Sequence, residues 1–146
     1  MGYSVKNVKK FRGREGVGIN CSLYRDNIRV AFYIDTANGG QGYFENWESA
    51  EERDKFMEFV KSRPEVEFHG VTLTPSPDMA MDNLLEAFDI LKQAKKKTFF
   101  RMASRKYAEG HWNVMNVPYS QEQRDELVAR YGDCEFYVDR VAKLVG

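Results

Sequence analysis

The chain of 146 residues has few of the residue types from which metal and redox sites are built: two cysteines and two histidines. Cys21 and Cys134 are too far apart for a disulfide framework, and no Cys-x-x-Cys pair is present to hold zinc. Neither His69 nor His111 has a second histidine at i+4. These absences exclude the common zinc motifs, and we expect no metal, no cofactor and two free thiols.

Net charge and long apolar runs are also missing. Lysine plus arginine balance aspartate plus glutamate at 22 each, which excludes the broad basic surface of a DNA-coating protein. No apolar run approaches the roughly 18 residues of a membrane helix, and the N-terminus has no apolar signal region. We therefore expect a cytoplasmic protein with no membrane partner.

The hydrophobic pattern predicts a single α+β domain over residues 1–146, with an antiparallel β-sheet of about six strands, two long helices and one or two short ones. The first third is strand-rich. Two pairs of segments predict hairpins, each pair flanking a turn-forming stretch. These segments are 19–24 with 28–34, and 98–102 with 111–117; a further strand is predicted near 43–47.

Helix boundaries are signalled by capping residues. Ser49 and Ser120 each begin a Ser-x-x-Glu/Gln capping box, so a helix is predicted after each of them. Pro64 and Gly132 are expected to end these two helices. Apolar residues at three- and four-residue steps over 81–91 predict the second long helix.

Two segments are less regular. Residues 64–78 contain three prolines, Pro64, Pro75 and Pro77, which interrupt regular structure. This segment predicts a connection with one short strand at 66–68. The tail, 138–145, fits a helical period with Asp133 as its cap, and a strand remains the alternative.

The segment 95–106 concentrates six cations around two adjacent aromatic residues, with no acid before Glu109. This composition suits an anionic ligand that carries a ring, such as a nucleotide. For Lys95, Lys96 and Lys97 a second explanation stays open, because cations also compensate the negative end of a helix.

Alternation along the strand places Phe99 and Phe100 on opposite faces, so at most one of them enters the core. The other ring must be covered by a helix, a partner subunit or a ligand. An exposed phenylalanine ring there could stack on a base. The neighbouring Arg101 guanidinium could donate paired hydrogen bonds to phosphate oxygens. Across the hairpin, Asn113 offers an amide for the edge of a base. Trp112 is either a core residue or a second ring for the ligand.

Two glycine patterns provide secondary candidates. Residues 13–18 precede a strand, so the helix dipole of a dinucleotide-binding turn is not available, and a simple turn is the alternative. The 38–42 loop lacks a P-loop ending, although bare glycine amides can approach a phosphate. The secondary candidates are Arg12, Arg14, Asn38, Gly39 and Gly40.

The order of several segments resembles a family of small bacteriophage proteins, the Thoeris anti-defence proteins of the first kind, which sequester cyclic ADP-ribose signals. The segments that carry the resemblance span nearly the whole chain. They are Val5-Lys6-Asn7-Val8-Lys9-Lys10-Phe11, Gly18-Ile19-Asn20-Cys21-Ser22-Leu23-Tyr24, Asn38-Gly39-Gly40, Lys96-Lys97-Thr98-Phe99-Phe100-Arg101 and Pro118-Tyr119-Ser120.

The resemblance implies a protein that is not an enzyme and that forms a homo-oligomer, a dimer or a multiple of dimers, in the host cytoplasm. It implies capture of a cyclic ADP-ribose-type nucleotide and, in some relatives, of cyclic oligonucleotides at a separate site. By this resemblance the ligand-binding residues are Phe99 or Phe100 for stacking, Asn113 for a polar contact, and Arg101, Lys106 and Arg130 for charge. Arg130 has the alternative of an exposed cation in the last turn of its helix.

Two other functions remain open from the residues alone. An interaction module could bind nucleic acid or an acidic protein partner through the basic N-terminus and the 95–106 segment. A small nucleotide hydrolase would have to use Asp35, His111 or Cys21, none of which lies in a recognisable catalytic motif.

Overall fold

Residues 2–146 are described by the computed structural model, and they form an α+β fold with antiparallel sheets, as the sequence predicts. The chain forms two compact units: the first ends at Leu85 and the second begins at Glu86, within one helix. The described residues contain nine strands in three sheets, where about six strands in one sheet were predicted. The single domain stays a prediction.

The first unit is built around a four-stranded sheet in the order β1-β2-β3-β4. The hairpin of segments 19–24 and 28–34 is present as predicted, whereas the pairing of the first two strands was not predicted. Asp26 adopts the left-handed conformation, with φ 56°, at the turn between β2 and β3. Short polar side chains tolerate this conformation well. The elements of this unit are β1 (Tyr3–Gly13), β2 (Gly16–Arg25), β3 (Ile28–Asp35), β4 (Tyr43–Glu45), α1 (Ala50–Lys61), β5 (Val66–Phe68), β6 (Val71–Leu73) and the first half of α2 (Pro77–Ala94).

Helix α1 begins where the capping box predicts, because the Ser49 side chain accepts a hydrogen bond from the Glu52 amide at 3.1 Å. The helix packs on the sheet through Phe56, which is fully buried. The Phe56 ring lies 5.2 Å from that of Tyr3 and 5.3 Å from that of Phe44, centroid to centroid. Aromatic contacts of this kind supply much of the stability of a small core.

The 64–78 connection contains more structure than the sequence predicts. The expected strand at Val66–Phe68 is present, but it pairs with a second strand, Val71–Leu73. His69 and Gly70 both have positive φ, 50° and 78°, as the two central residues of a type I′ turn require. The connection is therefore a β-hairpin.

The second unit contains the rest of α2 and a three-stranded sheet in the order β8-β7-β9. The predicted hairpin of β7 and β8 is present, although β8 is much shorter than residues 111–117. Phe100, Leu127 and Phe136 form the buried core. The elements here are β7 (Thr98–Met102), β8 (Asn113–Met115), α3 (Gln121–Tyr131), β9 (Cys134–Phe136), a 3-10 turn (Tyr137–Asp139) and α4 (Arg140–Val145).

Residues 138–145 are helical, the first of the two alternatives that the sequence left open, and the strand that forms here lies before them, at residues 134–136. Helix α3 ends at Tyr131, before the predicted terminator Gly132. Asp133 does not cap a tail helix, because Cys134–Phe136 forms a strand that pairs with β7. The helix begins only at Arg140, after the 3-10 turn.

An ion pair joins the end of β2 to α1 and yields a stability prediction. The guanidinium of Arg25 donates two hydrogen bonds to the Glu52 carboxylate, at 2.8 and 2.6 Å. Hydrogen bonding from Arg25 lowers the pKa of Glu52 below its ordinary value of 4.5. We expect Glu52→Gln to lower the melting temperature at pH 7, measured by circular dichroism.

The pH dependence follows from the direction of that shift. A carboxyl group with a lowered folded-state pKa stabilises the fold above its unfolded-state pKa, and this contribution disappears as the pH falls through the folded-state pKa. The difference between wild type and Glu52→Gln should therefore shrink below pH 4.5. Glu51→Gln, at the exposed neighbouring position, is the matched control and should change little. An undiminished difference at pH 2.5 would contradict the role of the charge.

Candidate functional site

Strand β7 divides the predicted ligand residues between its two faces. Thr98 and Phe100 are buried, at 1% and 5% exposure, whereas Phe99 and Arg101 are partly exposed. Phe100 packs with Leu127 and Phe136 in the core. Phe100 thus lies in the core, a placement that does not support its prediction as a stacking ring for a ligand. Phe99 remains the candidate.

Phe99 and Arg101 lie beside two further aromatic rings. The guanidinium carbon of Arg101 is 4.0 Å from the centroid of the Trp112 ring. Tyr137 meets Trp112 edge to face at 5.0 Å and Phe99 at 5.9 Å, centroid to centroid. We call Phe99, Arg101, Trp112 and Tyr137 the Arg101 face. Trp112 is partly exposed and belongs to this face, not to the buried core, and its role as a second ring for a ligand stays a prediction.

The contacts of Arg101 fix the orientation of its guanidinium. Its Nε donates a hydrogen bond of 2.8 Å to the carbonyl oxygen of His111, and the flat group rests on the indole of Trp112. Among residues 2–146, Arg101 forms no ion pair with an acid. A guanidinium held in this way can present its two terminal nitrogens to phosphate oxygens.

Glu135 adds a negative charge to the Arg101 face. It lies directly opposite Arg101 in the pairing of β7 with β9, and residues opposite each other project to the same side of a sheet. The sequence analysis did not include Glu135, because this pairing joins residues from distant parts of the chain. A carboxylate beside the guanidinium should weaken phosphate binding.

Asn113 does not face Phe99 and Arg101 as predicted. It lies opposite Phe100, so its side chain projects to the other side of the sheet. There its amide nitrogen donates a hydrogen bond of 2.7 Å to the Tyr107 hydroxyl, which also accepts one from the Met102 amide at 3.1 Å. Asn113 thus anchors the connection between β7 and β8, and its placement does not support the predicted polar contact with a ligand beside Phe99 and Arg101.

The other two cations predicted to bind the ligand, Lys106 and Arg130, are exposed. Lys106 lies in the connection after β7, and Arg130 lies in the last turn of α3. In the described chain, no hydrogen bond, ion pair or ring contact joins either of them to Phe99 or Arg101. Lys95–Lys97 directly follow α2, where cations suit the helix dipole. Of the three predicted cations, Arg101 alone contacts a ring of this face among residues 2–146, while Arg140, which was not predicted, lies 5.2 Å from the centroid of the Tyr137 ring.

The cavity behind Phe99 is too small for a nucleotide. It measures about 10 Å³, and Lys97, Phe99 and Tyr137 are among the residues around it. A space of this size holds about one water molecule. A ligand on the Arg101 face would therefore lie on its surface and would need a second surface to enclose it.

The secondary candidates lie at a contact between two turns of the first unit. The Arg14 amide donates a hydrogen bond of 3.4 Å to the Asn38 side chain, and the Glu15 amide donates one of 2.7 Å to the Ala37 carbonyl. Gly39 has φ +84°, and a Cβ there would lie 2.8 Å from a carboxylate oxygen of Glu15. The Glu15 carboxylate therefore occupies the approach to Gly39. Arg12 and Gly40 are exposed beside this contact.

A larger concave site lies on the outer face of the four-stranded sheet, which we call the sheet groove. Its volume is about 540 Å³, within the range of small-molecule sites. Cross-strand pairing aligns Lys9 with Asn20 and Ser22 with Phe32, so these side chains converge from three strands. The remaining residues around the groove are Asn7, Cys21, Arg29, Tyr33, Ile34, Glu45 and Asn46.

The sheet groove contains the same pairing of cation and ring as the Arg101 face. The guanidinium carbon of Arg29 lies 4.6 Å from the centroid of the Phe32 ring. Asn7 and Asn46, at opposite sides of the groove, both have positive φ, 55° and 53°. Such conformations cluster at binding sites, where they aim a side chain. The sequence signal that we missed is Phe32 and Ile34, two large apolar residues on the solvent side of β3.

Cys21 places a thiol beside the groove, and burial suppresses the nucleophilicity of that thiol. Its side chain is 2% exposed, and desolvation raises the pKa of the thiol to about 12. The thiol is therefore protonated at neutral pH, and a protonated thiol is a poor nucleophile. This environment agrees with its interpretation as a small core residue.

Comparison with protein-family models, with curated proteins and with solved structures found no match to this chain. Within residues 2–146, no three His, Cys, Asp or Glu side chains are grouped in a way that could hold a metal ion. None of the helices in this range is both long enough and apolar enough to span a membrane. The candidate function therefore rests on the geometry of the two sites.

Because Phe100 lies in the core and Phe99 lies at the surface, replacing each by alanine should lower the free energy of unfolding by different amounts. Phe100→Ala removes a buried ring and should lower the free energy of unfolding by about 3–5 kcal/mol, the usual range for a core phenylalanine. Phe99→Ala should cost clearly less, because its ring is partly exposed. Urea denaturation of both variants measures the difference, and equal losses would show that Phe99 is a core residue.

Proposed function

We propose that this protein binds a cyclic ADP-ribose-type nucleotide and holds it intact, and thereby removes a defence signal from the cytoplasm of an infected host. The observation that supports this most is the Arg101 guanidinium, held 4.0 Å from the Trp112 ring centroid beside Phe99 and Tyr137. Base stacking on exposed aromatic rings contributes about 1–3 kcal/mol per base. The two terminal nitrogens of Arg101 are suited to donate paired hydrogen bonds to oxygens of the ligand's pyrophosphate.

Sequestration without turnover requires tight binding and no activated nucleophile at the ligand. The protonated state of Cys21 supports this proposal for the sheet groove. A homo-oligomer, a dimer or a multiple of dimers, is part of the proposal. A second copy could supply the missing cover for the open Arg101 face, and several sites per particle raise its capacity for the signal.

The sheet groove is proposed as a separate site for a cyclic oligonucleotide. Its volume of about 540 Å³ accommodates several groups of such a ligand, and its rim carries Lys9 and Arg29 for phosphates. Phe32 provides a ring for stacking, while Asn20 and Asn46 provide amides for base edges. The Glu45 carboxylate offsets part of the positive charge of Lys9 and Arg29. Phosphate groups alone should therefore bind weakly, and a ligand should also need contacts with the Phe32 ring and the asparagine amides.

Native mass spectrometry with cyclic ADP-ribose isomers tests the central proposal. We expect a stoichiometric complex, from which heat denaturation releases a ligand of unchanged mass and retention time. The control is the same incubation without protein. A hydrolysed ligand would show that the protein is an enzyme, and the absence of a complex at high micromolar ligand would remove the nucleotide proposal.

Two substitutions of opposite effect test the Arg101 face. Arg101→Gln should weaken nucleotide binding about 10- to 100-fold, which corresponds to the 1.5–3 kcal/mol of a hydrogen bond to a charged group. Glu135→Gln should strengthen binding by about two- to fivefold, because it removes a nearby surface charge. Isothermal titration calorimetry measures both effects.

Arg105→Gln is the matched control for charge, since Arg105 is an exposed cation that follows β7. It should leave the affinity close to that of wild type. Equal effects of Arg101→Gln and Arg105→Gln would indicate nonspecific attraction. Steep weakening of nucleic-acid binding with salt would then favour the alternative, an interaction module for polyanions.

The groove has its own test. Arg29→Gln should weaken binding of a cyclic oligonucleotide about tenfold and leave binding of cyclic ADP-ribose isomers unchanged, because a charged hydrogen bond is lost at one site only. Competition calorimetry with both ligands measures the separation. If one ligand displaces the other in the wild type, the two-site proposal is wrong.

A further inference from the structure

The hydrogen bonding between β7 and β8 stops before β7 itself ends. The last residues that pair are Phe100 and Asn113. In an antiparallel pair of strands, the backbone groups of successive residues point to alternate sides, and the next hydrogen-bonded pair lies two residues further along each strand. Here that pair would be Met102 with His111. The backbone groups of Met102 do point towards β8, because the next amide, that of Ala103, donates a hydrogen bond of 2.9 Å on the β9 side.

Met102 instead forms these hydrogen bonds inside the connection between β7 and β8. Its amide donates a hydrogen bond of 3.1 Å to the Tyr107 hydroxyl, and its carbonyl accepts one of 3.1 Å from the Arg105 amide. The Asn113 side chain donates a further hydrogen bond of 2.7 Å to the same hydroxyl and so fixes its position. Tyr107 therefore replaces the His111 carbonyl as the acceptor for the Met102 amide.

The carbonyl of His111 is thereby left for a side chain. It accepts a hydrogen bond of 2.8 Å from the Nε of Arg101, while the His111 amide donates one of 3.0 Å to the Ala108 carbonyl. All four backbone groups of the missing pair are thus bonded elsewhere, as backbone groups in folded proteins almost always are. If the pair formed, the His111 carbonyl would turn towards the Met102 amide, and Arg101 would lose the acceptor that fixes its guanidinium.

We propose that Tyr107 is a positioning residue for Arg101. By accepting the Met102 amide, its hydroxyl keeps the strand pairing open at His111. The His111 carbonyl then anchors Arg101, whose guanidinium carbon lies 4.0 Å from the centroid of the Trp112 ring. Tyr107 acts through these contacts and binds no ligand itself. Its effect on nucleotide binding rests on the proposed function, whereas its effect on Arg101 is a property of the free protein.

Nuclear magnetic resonance of the ligand-free, isotope-labelled protein tests the positioning directly. In the wild type, a coupling across the hydrogen bond should link the Arg101 Nε to the His111 carbonyl carbon. In Tyr107→Phe this coupling should disappear, and one from the Met102 amide nitrogen to the same carbonyl should replace it. Exchange of the Arg101 Nε–H with water should become at least about tenfold faster, as expected when a hydrogen bond of a charged group is lost.

Persistence of the Arg101–His111 coupling in Tyr107→Phe overturns the proposal, as does its absence from the wild type. Absence of the new Met102 coupling also overturns it, because the two donors would then not compete for one carbonyl.

Tyr119→Phe is the matched control, since Tyr119 is a partly exposed tyrosine of the same unit whose hydroxyl accepts a hydrogen bond of 3.2 Å from Arg124. It should leave the Arg101 signals unchanged, and an equal change in both variants overturns the proposal. Circular dichroism and the melting temperature verify folding. If Tyr107→Phe does not fold, Asn113→Ala removes the amide that holds the hydroxyl and replaces it, with the same expected and contradicting results.

Calorimetry with cyclic ADP-ribose isomers tests the consequence for the ligand. Tyr107→Phe should weaken binding about three- to tenfold, a part of the effect of Arg101→Gln. Combined with Arg101→Gln it should add nothing, because both changes remove the same contact, and additive losses overturn the positioning role. A wild type that binds no nucleotide contradicts the proposed function, while the resonance measurements on the free protein still decide what positions Arg101.

Discussion

The alternation of side chains along an extended strand is the constraint on which both units depend. In β7 it sends Phe100 into the core with Leu127 and Phe136, and it leaves Phe99 and Arg101 on the outside. In the four-stranded sheet the same rule points Cys21 and Tyr33 inward while Ser22 and Phe32 border the groove. Each of these two sheets therefore has one face in the core and one face toward the solvent.

Features encoded by neighbouring residues could be predicted from the sequence. Ser49 and Ser120 satisfy amides three residues away, so their local pattern contains the whole interaction. The strands at 71–73 and 134–136 were missed because each has three residues and gains stability only from its partner strand. Such pairings depend on which segments meet in space, and a local pattern does not contain that information.

The candidate site was predictable only in part, for the same reason. The position of Phe99 and Arg101 on one face follows from alternation within a single strand. The placement of Asn113 required the register between β7 and β8, across the connection that holds Tyr107, and a change of one residue reverses the face. The groove combines residues from four strands, so no segment of the sequence displays it.

The contact between Glu15 and Gly39 has a consequence for ligand selection. A glycine turn with exposed amides would attract small anions of many kinds, but here the chain supplies its own carboxylate at that turn. Because this carboxylate is tethered, its effective concentration is far above that of dilute phosphate in solution. A free anion that approaches Gly39 must therefore compete with a carboxylate that the chain itself holds beside this turn.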